Sequence, residues 1–156
     1  MKKRLVYSLL LVISLFFLGA FGSSAAPSTY VHGVFSEKPL LVLDGSNGQW
    51  LTPNSGNAIA SWTENPLNSG NQAFFNAISV VGSDRYEFRL VHMTSTTADE
   101  IQGTFDIYKN YALVVQGIAG HVYGLSQPAT GNNYYKFYDN AEKWGVSGYI
   151  TSRLDY

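Results

Sequence analysis

Residues 85–92 read Arg85-Tyr86-Glu87-Phe88-Arg89-Leu90-Val91-His92, with Tyr86, Phe88 and Leu90 at alternate positions and Arg85, Glu87 and Arg89 between them. Successive side chains of an extended strand point to opposite faces, so this spacing places three apolar groups on one face and three charges on the other. Such a segment forms a strand with one face in a core and the other in water. Thr104-Phe105-Asp106-Ile107-Tyr108 repeats the pattern, with Phe105 and Ile107 inward.

Short runs of the same kind, bounded by Gly, Asn, Ser and Pro, recur at 30–35, 40–43, 50–51, 58–62, 77–81, 112–116, 121–124, 134–138 and 147–154. Helix-period patterns are nearly absent. Thr97-Ala98-Asp99-Glu100 has the spacing of a helix capping box, but Gly103 limits any helix there to about one turn. Asp44-Gly45-Ser46-Asn47-Gly48, Gly82-Ser83-Asp84 and Lys109-Asn110 carry hairpin-turn chemistry. The expected fold class is all-β, an antiparallel β-sandwich of about 8–10 short strands, with a compact β-barrel as the alternative.

The first residues stand apart from this pattern. Met1-Lys2-Lys3-Arg4 is a positive start, the run from Leu5 to Gly22 is uncharged and mostly apolar, and Ser23 and Ala25 are the small residues a signal peptidase accepts. The expected division is a signal peptide over 1–25 and a single β-rich secreted domain over 26–156. An uncleaved N-terminal membrane anchor is the alternative, since the apolar run is just long enough to cross a bilayer. The chain has no cysteine, so no disulfide supports it and burial alone must hold the fold. Absence of cysteine and of Asn-x-Ser/Thr sequons points to a bacterial exported protein.

Removing Lys2, Lys3 and Arg4 from the 10 basic residues leaves 7 against 11 acidic ones, so the mature domain carries about −4. No basic run remains, which argues against nucleic acid as a partner and against electrostatic adsorption to an anionic membrane. Charged residues make up only 13% of the chain and aromatics 15%. A surface so poor in charge is covered by Asn, Ser, Thr, Gly and Tyr, and suits polar, uncharged ligands.

Catalytic and metal-binding patterns are weak. Gly145-Val146-Ser147-Gly148 lacks the second glycine of a hydrolase elbow. His32, His92 and His121 lie in separate strand candidates without ligand spacing, so neither a metal nor another cofactor is expected. The carboxylate neighbours Asp84 and Glu87, Asp99 and Glu100, and Asp139 and Glu142 read as solvated turn acids rather than a pair held across a cleft. The 44–48 stretch lacks the ligand set of a calcium loop.

The aromatics are the informative feature. Period two along 134–138 puts Tyr135 and Phe137 on one face and Tyr134, Lys136 and Tyr138 on the other. The all-apolar pair belongs in the core, which leaves Tyr134 and Tyr138 outward as a flat platform, and Asp139 is placed to cap a turn that returns Trp144 beside the strand. Trp50 and Trp62 flank the stretch from Thr52 to Asn76, which looks loop-rich. There Asn54 and Asn68, in two copies of Asn-Ser-Gly-Asn, offer amide donors and acceptors. The candidate ligand-binding set is therefore Tyr134, Tyr138, Trp144, Trp62, Asn54 and Asn68, with no catalytic residue. The preferred reading is a secreted, non-enzymatic module for a neutral polar ligand such as a polysaccharide or cell-envelope glycan. A secreted effector, such as an antimicrobial protein or protein inhibitor, is the alternative, and a small secreted hydrolase comes third.

Overall fold

The computed structural model describes residues 29–37, 39–67, 70–126 and 134–155, and contains no helix within them. The strands are β1 (Tyr30–Ser36), β2 (Pro39–Asp44), β3 (Gln49–Leu51), β4 (Ser55–Glu64), β5 (Ala73–Val81) and β6 (Asp84–Thr96). They continue as β7 (Glu100–Lys109), β8 (Ala112–Tyr123), β9 (Tyr134–Asp139), β10 (Gly145–Tyr149) and β11 (Ser152–Asp155). All eleven pair in one antiparallel sheet, in the order β11-β1-β4-β5-β6-β7-β8-β9-β10-β2-β3. The sheet curls into a half-barrel.

Chain connectivity explains the curl. Strands β4 to β10 form a run of sequential neighbours, but β1 lies near one end of the sheet and β2 near the other, although β1 ends at Ser36 and β2 begins at Pro39. The links from β3 to β4 and from β10 to β11 are equally short and also join opposite ends. A flat sheet would hold these termini many strand spacings apart, at about 4.8 Å each. Curling brings them together, and hydrogen bonds fix the junctions. Thr151 donates its backbone N–H and its hydroxyl to the Phe35 carbonyl at 2.8 and 2.9 Å, and the Asn54 N–H donates to the Val80 carbonyl at 2.7 Å.

Several segments differ from their sequence reading. The two runs expected at 112–116 and 121–124 are one strand, β8, bent where Gly117 adopts φ 61° and its N–H donates to Asp106 Oδ1 at 2.8 Å. The single run expected over 147–154 divides into β10 and β11. The stretch from Thr52 to Asn76 is largely strand, because Ala58, Ala60 and Trp62 alternate inward along β4 and pair with β5. Residues 97–99 form a β6–β7 turn, closed by the Thr97 N–H donating to the Glu100 carbonyl at 2.9 Å, where a capping box was readable. The hairpin expected at Lys109-Asn110 forms one residue later, at Asn110-Tyr111 with φ 51° and 68°, Asn110 being a residue that tolerates this backbone and Tyr111 one that does not announce it.

The concave side is filled. Phe75, Phe88, Phe105 and Phe137 are buried and interlock with ring centroids 4.4 to 6.1 Å apart. Asp44, the last residue of β2, reaches across this core to β6 and β7. Its Oδ2 accepts from the Tyr86 hydroxyl at 2.7 Å and from Lys109 Nζ at 2.9 Å, while Oδ1 accepts from the backbone and side chain of Ser46 at 3.0 and 2.5 Å. Burial alone would raise the Asp44 pKa, but these hydrogen bonds outweigh it and hold the carboxyl at about 2.

Candidate functional site

Strand β9 carries two different faces. Tyr135 and Phe137 are 1% and 0% exposed in the core, and Tyr134, Lys136 and Tyr138 stand on the convex side. The same convex side collects His121 and Tyr123 from β8, Gly145 from β10, Leu43 from β2 and Trp50 from β3 through the register of the sheet. Tyr138 lies between His121 and Gly145, Lys136 lies opposite Tyr123, and Leu43 is paired to both Gly145 and Trp50.

These residues form a groove of about 700 Å³ lined by Leu43, Trp50, Tyr123, Lys136, Tyr138 and the turn residues Glu142 and Lys143, with Gly45 and Gly48 at its border. Its rings run across the strands. From Tyr123 to Tyr138 and from Tyr138 to Trp50 the centroids are 6.3 and 6.0 Å apart, and His121, two residues before Tyr123 on β8, stands 5.7 Å from it beside the groove. Glycine makes the step to Trp50 possible. A Cβ on Gly145 would lie 2.5 Å from Tyr138 Cδ1, so the bare backbone of β10 lets that ring lie flat across it toward Trp50. Leu43 is buried beneath, as apolar floor outside the main core.

The groove wall depends on Asp139, whose carboxylate accepts the N–H groups of Ala141, Lys143 and Trp144 at 3.2, 2.8 and 2.6 Å. That cap, with Glu142 at φ 52°, fixes the turn that displays Glu142 and Lys143. His121 is pinned by Glu100, 2.8 Å from its Nδ1. Burial first, and then the neighbouring Glu142 and tyrosine charges, push the Tyr123 and Tyr138 phenols above their ordinary pKa, so both stay protonated donors. Neither hydroxyl, nor the Trp50 indole N–H, hydrogen-bonds to another described residue. Beyond His121 a smaller hollow of about 290 Å³ continues the face, with Gln102, Thr104, Asn140 and Thr94 in its lining.

The structure divides the residues singled out from sequence. Tyr138 lies in the groove and Tyr134 beside it on the same face, its ring 5.2 Å from Lys136 Nζ. Trp144 does return beside β9 but turns inward, 8% exposed in the core, where the missing side chain of Gly45 leaves room for its indole. Trp62 is 1% exposed, and its Nε1 donates to the Thr97 carbonyl at 2.8 Å. Asn54 ties two turns together, with Oδ1 accepting from the Gly82 N–H at 2.7 Å. Asn68 lies outside the described residues. Trp62, Trp144 and Asn54 are thus held by the fold itself and do not join the two tyrosines. Tyr123, Lys136 and Trp50 complete the groove instead. Of these Lys136 is legible as outward from period two along β9, whereas Trp50, 51% exposed, is not separable from a core tryptophan by local pattern.

No protein-family model, characterised protein or solved structure matches the chain.

Proposed function

We propose that the chain is a secreted, non-enzymatic binding module and that the convex groove holds a polar glycan chain. The observation that carries this reading is the file of Tyr123, Tyr138 and Trp50 along one open groove, with unpartnered hydroxyl and indole donors at its edge. Flat rings supply apolar area to the faces of sugar rings while their polar ends keep hydrogen bonds, a combination suited to a ligand that is itself part apolar and part hydroxylated. Hydrolysis is disfavoured because Glu142 is the single carboxylate among the lining residues, and glycoside cleavage uses two, about 5 to 10 Å apart. We read the curled sheet as a compact barrel rather than a sandwich, since the short links between opposite ends of the sheet draw it toward closure.

Trp50 makes the test direct. Trp62 and Trp144 are buried, so a ligand in the groove changes the emission of Trp50 in particular. A glycan and cell-wall screen of the exported protein, read by tryptophan fluorescence and calorimetry, is expected to find a binder whose affinity falls at least tenfold in Trp50→Ala. The variant should melt close to wild type. Undiminished binding by a folded Trp50→Ala protein would reject the groove. N-terminal sequencing of the exported form is expected to begin at Ala26, and a return of Met1 would replace secretion by membrane anchoring.

A further inference from the structure

The cations of the described residues are unequally placed. Arg85 and Arg89 pair with Glu87 at 2.8 and 2.6 Å, Lys109 with Asp44 at 2.9 Å, and Arg153 with Asp155 at 2.9 Å. Lys136 and Lys143 are the two Lys or Arg residues among those described with no carboxylate within ion-pair distance, and both line the aromatic groove. Glu142 is the only acid there and makes no ion pair with either. The groove therefore carries a net positive charge on a mature domain that is net negative.

A free ammonium group presents three donors and no acceptor. Neutral sugar hydroxyls are served as well by amides, which this protein has in abundance, whereas ammonium groups bind anionic oxygens with roughly twice the strength of a neutral hydrogen bond. The spacing along the groove agrees with this division of labour. Tyr123, opposite Lys136 across the β8–β9 ladder, and Tyr138, two residues along β9, offer ring faces, while Lys136 between them and Lys143 at the turn offer charge.

We propose that the ligand of the groove is an acidic glycan, a sugar chain bearing carboxylate or phosphate groups, whose rings stack on Tyr123, Tyr138 and Trp50 while Lys136 and Lys143 receive its anions. This rests on the glycan reading of the groove and narrows it from polar glycans in general to anionic chains.

Matched polymers separate the two statements. Exported protein is titrated with polygalacturonate against its fully methyl-esterified form, and with phosphomannan against unphosphorylated mannan, at low and at high sodium chloride. At least one acidic member is expected to bind about tenfold or more tightly than its neutral match, with the advantage shrinking as salt rises. The arm that responds identifies the acid as carboxylate or phosphate. Lys136→Gln with Lys143→Gln is expected to remove that advantage, and Lys136→Arg with Lys143→Arg to retain most of it. Should the glutamine pair fail to fold, the arginine pair and the salt series on wild type still decide.

Neutral and acidic chains bound equally, with no effect of salt, would overturn the inference while leaving the glycan groove standing. No binding to any of the four polymers, together with a blank glycan screen, would overturn both.

Discussion

At the scale of single residues, Asp44 shows how one buried group ties the chain together and how that tie responds to acid. Its folded pKa, about 2, lies below the ordinary carboxylate value because Ser46, Lys109 and Tyr86 donate to the ionised form. A folded pKa below the unfolded one means that the stability contributed is fully present above about pH 4 and is lost as pH falls through about 2. Replacing Asp44 by Asn is expected to cost on the order of 2 kcal/mol at neutral pH, by the size of that shift. It should also flatten the decline between about pH 4 and pH 2, as read from urea titrations at a series of pH values. An unchanged acid limb in Asp44→Asn would assign the acid sensitivity to Glu87 or Asp155, whose carboxyls are also held low by their arginine and amide or histidine partners. The ties of Asp44 to Tyr86 and Lys109 were not legible beforehand. The sequence shows Asp44 as a turn residue, and its partners on β6 and β7 follow only from the curl of the sheet.

At the scale of the element, the two faces of β9 are legible in the sequence because their information is local. Period two assigned Tyr135 and Phe137 to one side and Tyr134 and Tyr138 to the other, and Asp139 carried its own turn signal. Phe137→Ala is expected to cost about 3 to 5 kcal/mol through the cavity it leaves among Phe75, Phe88 and Phe105. Tyr134→Ala with Tyr138→Ala is expected to cost about 1 kcal/mol or less per residue through lost cross-strand pairing, yet to abolish glycan binding. Denaturant midpoints and calorimetry on the same samples check both, and a double variant as unstable as Phe137→Ala would place the tyrosines in the structural core. The tryptophans resisted the same treatment. Period two along β4 puts Ala58, Ala60 and Trp62 on one face and Ile59 and Ser61 on the other, a contest that local pattern leaves even and that the curl decides for Trp62. Trp144 follows a turn whose direction depends on Glu142 taking a left-handed backbone, which the residue type does not announce. The partners of Tyr138 are Trp50, two strands beyond the neighbouring β10, and Tyr123, across a stretch the local pattern does not connect, so the groove itself is a product of strand order.

At the scale of the molecule, the last strand has an outsized role. β11 closes the free side of β1, Asp155 sits 2.6 Å from His32 Nδ1, and the Arg153 guanidinium stands 5.9 Å from the ring of Trp62. A chain ending at Ile150 is expected to lose roughly 2 to 4 kcal/mol. Its Trp62 emission should shift to longer wavelength as water reaches the ring, measured by urea unfolding with fluorescence detection. Unchanged stability and emission would mean that β11 lies on the sheet without holding it. The order of strands also sets a timetable. β5 to β10 can each pair with the immediate predecessor as they leave the ribosome, but β2 has no partner except β3 until β10 is made, and β1 lacks one neighbour until β11 is made. Phe35, Val42 and Trp144 therefore wait for β10 and β11 before their surroundings are complete. Closure is a late, long-range event of the kind that slows folding.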